Sequence, residues 1–148
     1  MNASVFDGDT LDVANWEPLV HTPEQIIAGD PGSLMLRVLD RSTEEGVVIG
    51  YVHYQPCEIC VAPRQEEMVI VVKGRATLET AGADGRRERR VLGPGSIAHF
   101  PPQVEQRWTF HEPTRLAFHA LTGGRMTDVV ARSIGESNPA ATTNRREL

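Results

Sequence analysis

Short β-rich runs over 33–40, 47–55, 58–61, 68–72, 75–81, 86–92, 97–100, 106–110 and 115–121 follow one another, with turn residues between them and no long helical period. Many short β-rich runs of this kind predict an all-β domain, a sandwich or barrel. Ala83-Asp-Gly85 supplies residues that tolerate positive φ, so the runs beginning at Arg75 and Arg86 are expected side by side as a hairpin. Met68-Val-Ile-Val-Val72 is apolar at both parities. A strand with one wet face alternates, so the outer side of this one is expected to be covered by a second sheet, the N-terminal arm or a dimer partner.

The leading residues carry Trp16-Glu-Pro, Thr22-Pro-Glu and Gly29-Asp-Pro-Gly32. These breakers set off an arm over 1–32 that is expected to wrap a barrel over 33–122. Residues 123–148 form an extension, with a short helical pattern over 126–134 and a polar end expected to be disordered. A chain of 148 residues is the size of one domain and closes one core without disulfides or a structural metal.

Charge narrows the partners. A formal net charge of −5 argues against nucleic-acid and anionic-membrane surfaces, which need a basic face. Arg86, Arg87, Arg89 and Arg90 are a local exception that reads as the solvated end of a hairpin. No segment approaches the roughly 18 consecutive apolar residues of a membrane helix, and the first residues lack the basic and apolar regions of a secretory signal, so a cytoplasmic location is expected. Cys57 and Cys60 form a lone Cys-x-x-Cys. On a strand, residues three apart face opposite ways, which predicts two reduced thiols rather than a disulfide or shared metal.

Two spacings carry the chemistry. Glu67, six residues and Gly74 form the first; Gly95, five residues and Pro101 form the second. With Gly93-Pro-Gly95, Phe100-Pro101 and the run from Arg107 to Arg115, they resemble the small single-domain cupins of the cupin-3 group, related to ureidoglycine aminohydrolase and the ethanolamine-utilisation cupins. The resemblance covers about residues 46–121. It implies a double-stranded β-helix, or jelly-roll barrel, and a homodimer, and it leaves the reaction open because the fold hosts many chemistries.

The family's first metal motif would place histidines at Cys60 and Ala62, or at Val61 and Pro63, and its second at Gln106. None is present. Glu67, Gln106 and Cys60 are the metal candidates that remain, with His53, Glu58, His99 and His119 as rearranged alternatives. A firm transition-metal site needs three or four such donors. The expectation is therefore no cofactor or a weakly bound divalent metal.

Strand alternation from an inward Gln106 points Trp108 and Phe110 into the lumen. By comparison with the aminohydrolase relatives, His99 is expected inward, as are Arg115, Ala117 and His119 on the last strand. Glu67 is inward in the motif itself. In this reading Glu67, His99 and His119 are the catalytic candidates, and Gln106, Trp108, Arg115 and His53 contact substrate. Arg115 can also be a structural partner of Glu112, and a strand histidine is commonly a satisfied barrel residue. The leading expectation is an acid–base enzyme acting on a small polar metabolite by isomerisation, elimination, cyclisation or hydrolysis. A non-catalytic metabolite binder and a metal-dependent hydrolase or dioxygenase are the alternatives. His21 and His111 are expected at the surface.

Overall fold

The structure, a computed structural model, describes residues 5, 12–41, 43, 46–82 and 84–121. Two 3₁₀ turns and eleven strands are formed by these residues: β1 (Glu17–Pro18), β2 (Ile26–Gly29), β3 (Leu34–Arg41), β4 (Val47–Tyr54), β5 (Cys57–Val61), β6 (Glu66–Lys73), β7 (Ala76–Ala81), β8 (Arg87–Leu92), β9 (Ile97–Phe100), β10 (Glu105–Phe110) and β11 (Thr114–Leu121). They build a six-stranded sheet in the order β1-β3-β4-β11-β6-β9 and a five-stranded sheet in the order β2-β5-β10-β7-β8. The chain crosses repeatedly between the two sheets, so that most neighbours within each sheet are not consecutive in sequence, which makes this the expected jelly roll. The pattern over 126–134 and the chain's end lie outside the described residues, as does Ala83. The hairpin itself is present, with β7 and β8 paired from Ala76↔Leu92 to Ala81↔Arg87.

Alternation decides which residues meet between the sheets. Val48, Val52 and Tyr54 on β4, Val69 and Val71 on β6, and Leu116, Phe118 and Ala120 on β11 are buried from one side. Ile59 and Val61 on β5, Leu78 on β7, and Trp108 and Phe110 on β10 close from the other. The rings of Tyr54 and Phe110 stack at 4.3 Å and those of Trp108 and Phe110 at 5.5 Å, knitting the two faces together. Gly50 sits where β4 passes closest to its neighbours. A Cβ there would run into the Leu36 carbonyl oxygen and come within 2.9 Å of the Phe118 ring, so only hydrogen fits. Gly74 holds φ +96 at the end of β6, with the backbone of Pro113 and Thr114 closing over it.

The described residues before β3 add a short strand to each sheet. Glu17 and Pro18 pair with Met35 and Leu34 on β3, while β2 pairs with β5. Two strands this short carry almost no periodic signal, which is why the pattern along the chain does not predict them. Trp16 then stacks on Tyr51 at 6.1 Å, covering part of the outer face of the six-stranded sheet. Beyond its reach, among the described residues, that face carries Met68 36%, Leu121 41% and Ile97 64% exposed, beside the exposed pair of His99 and Glu66.

Candidate functional site

Between the sheets lies a cavity of about 30 Å³ whose lining is apolar except at Tyr54, Glu67, Gln106 and Trp108. Glu67 enters it from β6, in phase with Val69 and Val71; Gln106 enters from β10, in phase with Trp108 and Phe110. Both polar residues are 3% exposed. The indole N–H of Trp108 donates to Gln106 Oε1 at 2.9 Å. Gln106 Nε2 is left buried with no hydrogen-bond partner among the described residues. Glu67, by contrast, is partnered within the fold. Burial, then the nearby Cys57 and Glu67, push the Tyr54 phenol well above its ordinary range, so it keeps its proton.

Gln106, Trp108 and Phe110 thus face inward as the alternation predicts, and Glu67 as the motif implies. Arg115, Ala117, His119 and His99 do not. On β11 it is Leu116 and Phe118 that face the cavity, opposite Val52 and Gly50 on β4. The strand takes this phase because it buries Leu116, Phe118 and Ala120 between the two sheets, leaving Arg115, itself only 3% exposed, to be buried on the other side of the sheet. Arg115 instead lies on the outer face under the arm, its guanidinium 4.9 Å from the Trp16 ring centroid in a cation–π contact. His119 lies on the same face between Ile49 and Met68. On β9, Phe100 faces in and His99 faces out, where its Nε2 lies 2.5 Å from Glu66 Oε2 in an exposed pair.

His53 is also on the outer face, opposite Arg115 and Leu34. Burial holds its pKa down, with the positive charges of Arg115 and Lys73 adding to the effect. The two cysteines point to opposite sides of β5 and are free. Cys57 joins the core; the Cys60 thiol donates outward to Glu105 Oε2 at 3.4 Å. Burial and the Glu105 carboxylate push the Cys60 pKa up to about 11. His111 is exposed as expected, bonded to Thr77 Oγ1.

His21 departs from expectation: it is 8% exposed. Ser33 spends its hydroxyl proton on the Leu19 carbonyl at 2.7 Å, so the neutral His21 ring donates to Ser33 Oγ through Nδ1 at 3.2 Å. Nε2 is then free to accept from Tyr54 O–H at 3.5 Å. Burial lowers the His21 pKa to about 4, fixing the neutral form. Tyr54 therefore connects the arm to the cavity. Its role was readable in principle, because it continues the inward series Val48, Gly50, Val52; His21 carries no comparable signal.

Residues 41–118 match the EutQ-like cupin domain. The chain belongs to the EutQ-like cupin family. No curated protein matches it. Among solved structures it is 26% identical to a Ralstonia eutropha JMP134 protein provisionally named mannose-6-phosphate isomerase, covering 66% of this chain and 92% of that one at a TM-score of 0.52. The Clostridium difficile EutQ protein is 10% identical at a TM-score of 0.51, with 65% of this chain and 66% of that chain covered. KdgF from Halomonas sp. is 18% identical at a TM-score of 0.54, with 80% and 94% covered. The last two likenesses show the cupin fold alone.

Cupins with the full histidine motifs hold a metal in the barrel, and the donors present here do not fit one. Of the metal candidates, only Glu67 and Gln106 reach the cavity, and the Gln106 oxygen is engaged by Trp108. Cys60 points away from it. Among the described residues no group of three or more His, Cys, Asp or Glu side chains is placed to hold a metal ion.

Proposed function

We propose that this cupin binds one polar end of a small metabolite between Gln106 and Glu67 and that Glu67 moves a proton on it. The carrying observation is the Gln106 amide nitrogen, buried at the cavity that Glu67 also lines and lacking an acceptor among the described residues. A buried donor without an acceptor costs about 1–3 kcal/mol, which a ligand oxygen would recover. The Gln106 N–H donates and an ionised Glu67 carboxylate accepts. The matching ligand end therefore carries an acceptor beside a donor, as a carboxamide or a protonated carboxylic acid does.

Room in the cavity suits only that end. About 30 Å³ accommodates roughly two water-sized groups, so the body of the metabolite extends past Pro63 or displaces side chains. Proton transfer would use Glu67 as the group that takes up and returns the proton, while Tyr54, its pKa raised by burial, stays neutral beside it and does not act as the acid. With His99 and His119 on the outer face, acid–base work by an imidazole in the cavity is not part of this reading. Simple binding is the second reading, favoured by the same outward histidines.

Two further properties belong to this reading. Homodimerisation is supported by the exposed Met68, Ile97 and Leu121 on the outer face. A cytoplasmic location, without nucleic-acid or membrane partners, is supported by the two unpaired thiols and the net charge of −5.

A screen of small carboxamides and carboxylic acids by thermal shift tests the core of the proposal, followed by Glu67→Gln and Gln106→Leu. Loss of turnover in Glu67→Gln with affinity retained supports proton transfer. Equal loss of both supports binding alone, and ligands that stabilise Gln106→Leu as well as the native chain would overturn the site.

A further inference from the structure

The sandwich has a second opening. Among the described strands β8 ends the five-stranded sheet and β9 ends the six-stranded one, and between these two end strands runs a groove of about 460 Å³. That volume lies within the range of small-molecule sites. No residue lining the groove lines the buried cavity: Phe100 and Leu78 belong to the groove, and Trp108, edge-on to Phe100 at 6.3 Å, belongs to the cavity.

Cross-strand register shows what faces the groove. The inner-face row Ile59, Trp108, Leu78 ends in Arg90, and the row Val61, Gln106, Thr80 ends in Glu88. A charge of each sign therefore occupies positions where a sandwich interior is ordinarily apolar. Inward charges on an edge strand deter pairing with other sheets. That role accounts for the charges but not for the volume in front of them, nor for the apolar wall of Leu78, Leu92 and Phe100 beside the hydroxyls of Thr80 and Ser96.

The partnering of the basic run is also uneven. Arg87 and Arg89, on the outer face of β8, pair with Glu79 at 3.8 and 3.3 Å. Arg90 and Glu88, on the inner face, form no ion pair among the described residues. Residues two apart on a strand lie about 6.6 Å apart on one face. The two charged ends of the groove are thus held apart by the strand itself, with an apolar wall alongside.

We propose that the groove between β8 and β9 is a second ligand site, for a short aliphatic carboxylate that bears an ammonium or hydroxyl group at its other end. Arg90 receives the carboxylate, as a guanidinium does in paired N–H contacts. Glu88 and Thr80 receive the donor end, and the methylenes lie against Leu78, Leu92 and Phe100. Being lined by different residues, this site stands or falls independently of the Glu67–Gln106 reading.

The test is a titration of ¹⁵N-labelled full chain with 6-aminohexanoate, followed by amide chemical shifts, alongside hexanoate as a probe lacking the donor end. Saturable shifts centred on Thr80, Arg90, Ser96 and His99 are expected. Arg90→Met, an exposed position that leaves the spectrum otherwise native, is expected to weaken binding at least 10-fold, with Glu67→Gln unchanged. Glu88→Gln is expected to weaken 6-aminohexanoate more than hexanoate. Shifts that do not saturate, that scatter over the surface, or that persist with equal affinity in Arg90→Met would overturn the proposal.

Discussion

Trp108 and Gln106, two residues apart on one face of β10, are joined by an indole N–H donating to the amide oxygen at 2.9 Å. Indole nitrogen only donates, so it fixes which end of the amide it meets and leaves the NH₂ end for the cavity. Trp108→Phe removes this orientation. The expected loss of stability is about 2–4 kcal/mol, from lost ring volume together with a buried amide oxygen deprived of its donor. Urea denaturation measures it, and a cost near zero would mean that the amide is not held this way.

A second expectation concerns pH. His21 is neutral in the folded protein, its pKa lowered to about 4 from 6.5 by burial. Unfolded chains take up a proton there as pH falls below 6.5, while the folded protein does not until about 4. Stability from this group is therefore complete above pH 6.5, declines as pH falls toward 4, and declines no further below it. The 2.5-unit difference corresponds to about 3 kcal/mol. His21→Gln keeps polar contacts with Ser33 and Tyr54 without titrating, and is expected to flatten the stability profile between pH 6.5 and 4. An unchanged slope would show that His21 is not buried neutral.

Gly50→Ala is expected to cost about 3 kcal/mol, because the added methyl group meets backbone of β3 and the Phe118 ring, which the core holds in place. Thermal unfolding reads the effect directly. Gly85→Ala provides the contrast: its φ of +80 strains any side chain, yet no atom of the described residues lies within 4 Å of the added carbon. Its expected cost is the smaller, about 1 kcal/mol.

Thiol reactivity supplies another check. Cys57 and Cys60 both have pKa values raised to about 11, chiefly by burial. At pH 8 each carries about 100-fold less thiolate than a free cysteine thiol of pKa 9, so iodoacetamide labelling of the native chain is expected to slow correspondingly. Mass spectrometry reports the modification at each cysteine. Fast labelling of Cys60 would place its sulfur in a more polar setting than the contact with Glu105 implies.

How much of this was legible in the sequence differs by element. Nine of the eleven strands follow from short β-rich runs and turn residues; the two-sheet core imposes alternation on strands such as β5 and β10, while the charged β8 is marked by its hairpin turn. The inward pair Trp108 and Phe110 follows from an inward Gln106 and a period of two, and the inward Glu67 from the family motif. On β11 that logic goes astray. Comparison with the aminohydrolase relatives places Arg115 and His119 in the lumen, whereas burial of Leu116, Phe118 and Ala120 sets the phase. His99 was misplaced for the same reason, since Phe100 next to it is the better core residue. β1, β2 and the burial of His21 depend on where the arm crosses the barrel, a long-range relation that local pattern does not encode.

The central claim is that the cavity of this cupin is an organic-ligand site built on Glu67 and Gln106 rather than a metal centre. Metal content decides it most directly, measured by inductively coupled plasma mass spectrometry on protein purified without chelator or affinity tag and then incubated with Mn, Fe, Ni, Cu or Zn and desalted. The account predicts well below one equivalent of every metal, with no difference between the native chain and Glu67→Gln. Near-stoichiometric metal that disappears in Glu67→Gln would contradict it.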